Sequence, residues 1–458
     1  MKKTFILTLF MCLMSQFLRA QFVTTDGTQF LRDGKPYYFL GTNLWYGPIL
    51  GSTTTAADRQ RLCTELDSLQ ALGVDNLRIL AGAESGSPEA PRYVEPILEE
   101  QPGCLNDSLL AGLDFMLAEM QKRGMLAVIY LTNSWDWSGG WGHYLRATGH
   151  GNSPSASGDG WNDYCSYAKQ FCQDRAAQQL FLRHCEQIIC RTNRYTGRAY
   201  KDDPTIMSWQ LCNEPRPFAR ECFEAFAQMI HEQAAFIHHL DPNHLVSTGS
   251  EGLIGCGIDE RLTEKVFMSD DIDYVNMHLW PANWGWASKQ RLFEDLPNTF
   301  VEAGKYFDYH ERLCQRLRKP LVCEEFGYPR NNNSYDPAMP CEARDGLYTF
   351  VFERLKQNVE NQGPLAGVNF WGWAGQGRPA HAIDPQWVTG KPLTDEAQTR
   401  YTTALARRAN DEHPTDYYWH PGDDFLCDPP HEPQGWYSVF STDTTTIALI
   451  RKYAALCK

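Results

Sequence analysis

The feature that most constrains this chain is a repeated alternation. From about Pro36 onward, short apolar runs of strand length alternate with longer stretches in which apolar residues recur at every third or fourth position. The runs fall at Tyr37–Asn43, Asp75–Leu80, Leu126–Leu131, Ile206–Asn213, Leu245–Thr248, Tyr274–His278, Leu321–Glu325 and Gly367–Trp371. Helical stretches are predicted between them at Ala57–Leu72, Leu109–Arg123, Ala176–Thr192, Glu221–Leu240, Phe300–Leu317 and Arg344–Gln362. Strands that alternate with helices build a parallel sheet, and eight such units close it into a (β/α)8 or TIM barrel, an α/β fold.

In such a barrel the chemistry gathers at the C-terminal ends of the strands. Polar and aromatic residues stand at those ends: Arg78 near the end of the second run, Asn213 and Glu214 at the end of the fourth, His278 at the sixth, Glu325 at the seventh and Trp371 at the eighth. Two of the intervening loops, Ala83–Asp107 and Thr132–Asp174, are long. The second carries Trp135, Trp137, Trp141 and Trp161 among Gly and Ser, and that many tryptophans argue against disorder.

Residues 1–20 read as a signal peptide: Lys2 and Lys3, an apolar run from about Thr4 to Phe17, and a small residue at Ala20. Cys12 lacks the small residue before it that lipid attachment requires. No later segment approaches the roughly 20 apolar residues of a membrane span, so none is expected. The barrel is expected over residues 21–407 and a short extension packed on it over 408–458, in which Trp436–Phe440 and Thr446–Ile450 are predicted to pair as strands.

The net charge is −14 and becomes more negative once Lys2, Lys3 and Arg19 leave, which makes nucleic acids and anionic membranes poor partners. Of the 15 cysteines, Cys165 with Cys172 and Cys185 with Cys190 are possible disulfide pairs, with free buried thiols as the alternative. The absence of CxxC and HExxH strings argues against a metal, and no cofactor is expected.

The carboxylates narrow the chemistry. Glu214 in SWQLCNEPRP and Glu325 in KPLVCEEFGYP lie at the fourth and seventh strands, on opposite sides of a barrel mouth. Two facing carboxylates can divide glycosidic cleavage, one giving a proton to the leaving oxygen and the other attacking the anomeric carbon. Either residue alone would be unremarkable as a strand-end hydrogen-bonding group.

The strings NEP after the fourth strand and EFG after the seventh resemble the signatures of retaining (β/α)8 glycosidases, and glycoside hydrolase family 5 in particular. Arg78 in NLRIL, Asn213, His278 in NMHLW and Trp371 in NFWGW match that family's active-site pattern. GTNLWYGPILGS, the tryptophan-rich loop, NEPR and WGWAGQGRP are similar to its mannan-active subfamily 7. The resemblance implies a secreted endo-acting β-1,4-mannanase, periplasmic or extracellular, acting on mannan, glucomannan or galactomannan. Glu214 would be its acid/base and Glu325 its nucleophile, with carboxyl groups about 5 Å apart.

The resemblance also implies that Arg78 holds Glu325 ionised, that Asn213 meets the C2 hydroxyl, that Glu324 points away from the site, and that Glu214 has a raised pKa. Arg216 would reach the leaving-side sugars or form a surface salt bridge. Trp135, Trp137, Trp371 and Trp373 would stack on sugar rings or serve as core. Two positions depart from the family pattern. Trp280 replaces the usual tyrosine two residues after His278, and would either line the site or pack in the core. Tyr130-Leu131-Thr132-Asn133 stands where many cellulases of the family carry a histidine. Exo-acting cleavage, and a non-catalytic sugar-binding barrel, are the alternative readings.

Overall fold

The computed structural model describes residues 22–88, 93–156, 160–379, 418–419 and 422–458. The signal-peptide reading and the expected boundary at residues 407/408 lie outside them.

All eight expected strands form. They are β1 Phe39–Asn43, β2 Asn76–Leu80, β3 Leu126–Tyr130, β4 Ile206–Gln210, β5 Leu245–Ser247, β6 Val275–Leu279, β7 Leu321–Phe326 and β8 Leu365–Phe370. Their order in the sheet is β5-β4-β3-β2-β1-β8-β7-β6, with every neighbouring pair parallel. Side chains bridge β5 to β6. The Asn276 Oδ1 accepts from the backbone N–H of Thr248 and of Gly249, Asp273 Oδ2 accepts from Val246 N–H, and Asp273 N–H donates to Val246 O, so side chains and one backbone bond close the barrel where the ladder stops.

The six expected helices form at Arg59–Leu72, Asp107–Lys122, Arg175–Ile189, Phe223–Leu240, Leu296–Leu317 and Glu342–Asn361. Three start on side-chain caps, with Asp58, Asn106 and Asp174 accepting from N–H groups of the first turn. Each helix turns its apolar face to the barrel.

The barrel interior is layered. Its floor is apolar, built from Phe30, Tyr37, Phe39, Val128, Met207 and Val322, and is closed by an antiparallel ribbon, Thr24–Asp26, Gln29–Arg32 and Lys35–Tyr37. Sequence patterning began the first strand at Tyr37, the last residue of this ribbon, and assigned no strand before it. Gly367 is required here, because a Cβ on it would stand 2.2 Å from the Phe39 ring. Above the floor come Asn76, Asn369, Ser208, Tyr274 and Gln210, all buried and hydrogen-bonded to one another or to neighbouring strands.

The long loops after β2 and β3 are held by a buried polar cluster. Thr132 Oγ1–H donates to Glu84 at 2.6 Å, and Tyr144 O–H donates to Glu99 at 2.9 Å. Burial works against a charge on His184, yet Glu99 overrides it and pushes the imidazole up to about 9. This cluster fixes the loop carrying Trp135 to the barrel rim.

The C-terminal segment differs from expectation. Among its described residues only Val439–Phe440 is a strand, and it pairs in parallel with Trp373–Gly375 rather than with its own neighbour. Thr446–Ile450 lies inside a helix, Thr444–Ala454, whose apolar residues meet the helix Glu342–Asn361. A short run containing Ile447, Leu449 and Ile450 fits either period, and the available surface is a helix groove. The 14 cysteines among the described residues are all free, so neither Cys165 with Cys172 nor Cys185 with Cys190 is bonded.

The segment is pinned by one buried carboxylate. Asp443 Oδ2 receives Arg330 at 2.6 Å and Arg344 at 3.1 Å, both guanidinium groups being fully buried. Replacing Asp443 by Ala leaves two buried cations without their partner, and the expected loss is about 3–5 kcal/mol. Urea unfolding of the variant beside the parent chain measures it; a loss below 1 kcal/mol would show that the segment is held otherwise.

Candidate active site

The site is assembled from strand ends that are far apart in sequence. Arg78 projects from β2 into the barrel and is fully buried. Its Nη1 donates to Glu325 Oε1 at 2.5 Å and to Asn43 at 3.2 Å, its Nη2 to Asn213 Oδ1 at 2.9 Å, and its Nε to Gln210 at 2.8 Å. The Tyr130 ring lies under the guanidinium at 4.4 Å. One cation thus fixes the nucleophile candidate and the asparagine beside the acid/base candidate.

Glu214 lies four residues beyond β4, not at its end. An isolated parallel bridge, Asn133 with Asn213, carries the chain there. Glu214 itself has φ 49°, a left-handed conformation that side chains other than glycine adopt rarely and that turns its carboxylate over the mouth. Trp135 Nε1–H donates to Glu214 Oε2 at 2.6 Å.

His278, fully buried on β6, stands between the two carboxylates, its Nδ1 2.8 Å from Glu214 Oε1 and 3.2 Å from Glu325 Oε2. One donor atom from each of Glu214, His278 and Glu325 lies within 4.8 Å of the other two. The three could therefore ligate a cation, but the imidazolium already supplies the positive charge between the carboxylates. Burial alone would depress His278, and Glu325 and Glu214 override it, pushing it up to about 10.

The same contacts correct one expectation. Burial would raise Glu214, but hydrogen bonding and charge from His278, the Arg216 charge and the Trp135 N–H outweigh it and hold the carboxylate below its ordinary range. In the unliganded site these contacts favour a proton on His278 over one on Glu214.

A second correction concerns Glu324. Rather than pointing out of the barrel, its carboxylate turns into the interior, where Gln210 donates to it and Arg78 Nε stands 3.9 Å away. Alternation on β7 sends Glu324 inward, and Glu325 reaches the mouth because it sits at the strand end, where β6 also shifts register between Met277 and His278. Burial pushes the Glu324 carboxyl up.

A cleft of about 390 Å³ opens above this cluster, lined by Trp135, Asn213, Glu214, Arg216, Trp280, Glu325 and Trp371 among others. Trp280 is at the site, edge-on to Trp371 at 6.0 Å. Trp137 also lines the cleft, whereas Trp373 is core, its Nε1–H donating to buried Glu65. The faces of Trp135 are covered, with Trp161 at 5.6 Å and the Arg216 guanidinium at 5.1 Å, so it orients Glu214 rather than offering an open platform. Arg216 pairs through two bonds with Glu251, at 2.5 and 2.6 Å, and burial pushes that glutamate up to about 7.

Sequence reasoning missed Glu251, Asn283, Trp284, His431 and Glu432, which also line the cleft. Glu251 had a signal, since it follows a barrel strand. His431 and Glu432 had none, because they reach the mouth only through the packing of the C-terminal segment. Burial, with the charges of Asp428, Glu214 and Glu325, pushes Glu432 well above the ordinary carboxylate range.

A parallel barrel with two glutamates facing one another across its mouth, one just beyond β4 and one on β7, defines a class, the (β/α)8 glycosidases. The family model described as GH family 5 beta-mannosidase-like matches residues 20–401 and 394–458. A crystal structure of a glycoside hydrolase family 5 mannosidase from Rhizomucor miehei superposes with a TM-score of 0.81 at 32% identity, covering 96% of this chain and 98% of that one. A mannan endo-1,4-beta-mannosidase 1 of Arabidopsis thaliana is 28% identical over 368 residues, 77% of this chain and 82% of its own. The endo-1,4-beta-D-mannanase of Thermotoga petrophila shares the fold, with a TM-score of 0.61 at 21% identity, covering 92% of this chain and 100% of that one. The chain belongs to glycoside hydrolase family 5.

His278 gives a direct test of the electrostatics. Its raised pKa means that its contribution to stability is fully present below about pH 6.5 and is lost as pH rises through about 10. Nitrogen-15 NMR of the imidazole is expected to show the protonated form throughout neutral pH. A neutral imidazole at pH 7 would refute the assignment of the proton.

Proposed function

We propose that the protein is a retaining glycosidase that hydrolyses β-1,4-mannosidic bonds, with Glu325 as nucleophile and Glu214 as acid/base. The observation that carries the reading is the separation of the two carboxylates. Oxygen atoms of Glu214 and Glu325 lie within 4.8 Å, close to the roughly 5–5.5 Å of retaining enzymes and short of the 6.5–9.5 Å that leaves room for a water between them.

The chemistry follows from the contacts. Glu325, oriented by Arg78, attacks the anomeric carbon as the bond to the leaving oxygen breaks. That oxygen takes a proton from Glu214, which has first received it from His278 Nδ1 at 2.8 Å and is left as a carboxylate. As Glu325 becomes an ester its charge disappears, and with it the main attraction holding the proton on His278. A water then attacks the ester, giving its proton back to Glu214, and the sugar leaves with its original configuration.

The choice of sugar rests on the relatives, named as mannosidases and mannan endo-1,4-beta-mannosidases, and on the strings similar to subfamily 7. A mannosyl-fructose complex of the Rhizomucor mannosidase supports a mannosyl unit as the ligand class. Mannose carries an axial C2 hydroxyl, and Asn213, fixed by Arg78, stands beside both carboxylates to meet it.

A second reading, exo-action, is favoured by the C-terminal segment. It contacts the loops after β1, β6 and β8: Cys427 O accepts from Trp45 Nε1–H, Tyr437 O–H donates to Asn283, and Val439 N–H donates to Gly372 O. Pro429, His431 and Glu432 therefore form a wall at the part of the mouth away from β4 and β5.

Glu325→Ala is expected to abolish turnover of β-1,4-manno-oligosaccharides. Glu214→Ala should lower it about 10²–10⁴-fold, with azide restoring turnover of activated aryl mannosides as the β-mannosyl azide. Products of the unaltered protein should appear first as the β-anomer by proton NMR, and an initial α-anomer would overturn retention. On matched oligosaccharides, kcat/KM for mannose should exceed that for glucose at least tenfold.

Export is part of the same proposal, supported by the charged and apolar pattern of residues 1–20 and by a family match that starts at residue 20. The mature protein should begin near residue 21 when its N-terminus is sequenced; an intact Lys2-Lys3 start would end this reading. Among the described residues, no helix is long and apolar enough to cross a membrane.

A further inference from the structure

Behind the loops after β2 and β3 lie four buried titratable side chains that the catalytic chemistry does not use: Glu84, Glu99, His143 and His184. His184 stands on the barrel helix Arg175–Ile189, whereas the other three belong to the two loops.

The hydrogen bonds fix where the protons are. His184 Nε2 lies 2.9 Å from Ala81 O, and a carbonyl only accepts, so Nε2 carries a hydrogen. The other ring nitrogen, Nδ1, stands 3.4 Å from Glu99 Oε2 and has no other hydrogen-bond partner among the described residues. Both Glu99 oxygens already accept, Oε1 from Gly103 N–H at 2.6 Å and Oε2 from Tyr144 O–H at 2.9 Å, which is the pattern of an ionised carboxylate. A neutral His184 would aim a lone pair at that carboxylate in a fully buried place. A hydrogen on Nδ1 removes the conflict and makes the ring a cation.

The neighbouring groups leave the proton there. Burial outweighs the Glu99 charge at His143 and, with Arg146 and His184 beside it, pushes that ring down to about 4. Burial pushes the Glu84 carboxyl up, and likewise keeps the Tyr144 hydroxyl and the Cys185 thiol un-ionised. At Glu99 burial acts in the same direction, but His184 outweighs it and holds the carboxylate below its ordinary range.

From this pair a chain of contacts runs to the acid/base. Tyr144, bonded to Glu99, also lies 3.3 Å from Glu84 Oε1. Glu84 in turn clamps both ends of the segment that leaves β3, accepting from Thr132 Oγ1–H at 2.6 Å and from Gly140 N–H at 3.1 Å. Gly139 passes so close that a Cβ on it would stand 2.2 Å from Glu84 O. Trp135 lies in the middle of this clamped segment, and its indole N–H is the donor to Glu214 Oε2.

We propose that His184 is a positioning residue for Glu214, acting through a proton held against Glu99 that keeps the Trp135 segment in place. Loss of that proton sets an imidazole lone pair against Glu99, loosens Tyr144 and Glu84, and frees the Trp135 indole from Glu214. Turnover then falls in alkali through a group that touches no substrate. The effect on turnover rests on Glu214 as acid/base, whereas the link from His184 to Trp135 does not. Because His184 is raised to about 9, its contribution is fully present below about pH 6.5 and is lost as pH rises through about 9.

The test uses the full chain labelled with nitrogen-15, with His184→Gln and Glu99→Gln beside it. Both His184 ring nitrogens are expected to be protonated at neutral pH. As His184 titrates near pH 9, the Trp135 indole N–H resonance should move with the same midpoint, and kcat/KM on 4-nitrophenyl β-mannoside should fall with it, ahead of His278 at about 10. His184→Gln can donate to Glu99 but cannot titrate; it should lower kcat/KM roughly three- to tenfold at neutral pH and remove the step near pH 9 from both signals. In Glu99→Gln the His184 ring should be neutral at neutral pH. A neutral His184 in the parent chain overturns the proposal. So does a His184 titration that leaves the Trp135 resonance unmoved, or a step that survives in His184→Gln. Should either variant fail to fold, the parent spectra decide by themselves. An aryl mannoside inert to the parent chain overturns the catalytic reading, and the Trp135 resonance still decides whether His184 controls that segment.

Discussion

The site depends on a buried cation that cannot be left unpaired. A guanidinium with no solvent exposure would be prohibitively costly in the barrel interior unless each of its donors met an acceptor. Arg78 meets that requirement with Glu325, Asn213, Asn43 and Gln210, which come from or follow β7, β4 and β1. The need to satisfy one side chain therefore sets the relative position of three strand ends. Catalytic geometry comes with it, because the same bonds that solvate Arg78 orient the carboxylate and the asparagine that face the sugar.

His278 adds a second, titratable cation on the other side of the pair. It lies within reach of both glutamates, so the three groups share protons as a unit, and assigning an acid pKa to Glu214 alone misdescribes the free site. Burial of Glu214 did not decide its protonation, because His278, Arg216 and Trp135 together outweighed burial.

The loops give the barrel its particular cleft. Glu84, Glu99 and His184 tie the loops after β2 and β3 to the rim and so place Trp135 against Glu214. The C-terminal segment, pinned by Asp443, supplies His431 and Glu432 from the other side. A barrel common to many glycosidases thereby acquires a cleft lined from both the β3 loop and the C-terminal segment.

Period and spacing in the sequence were enough for the eight strands, the six main helices and the two glutamates at β4 and β7, because apolar periodicity and strand-end position are local properties. They also placed Arg78, Asn213, His278 and Trp371 near the mouth, while Trp280 stood open between site and core until the packing put it in the cleft. Tertiary structure alone decided the rest. Thr446–Ile450 became a helix because a helix groove was the surface it met. Glu324 faced inward because Gln210 and Arg78 lay there to receive it. Trp135 became a hydrogen-bond donor to Glu214 while Trp373 went to the core. Glu432 reached the cleft from a segment more than a hundred residues beyond Glu325. Such outcomes depend on which side chain meets which across the barrel, and a single strand or helix carries no record of its partner.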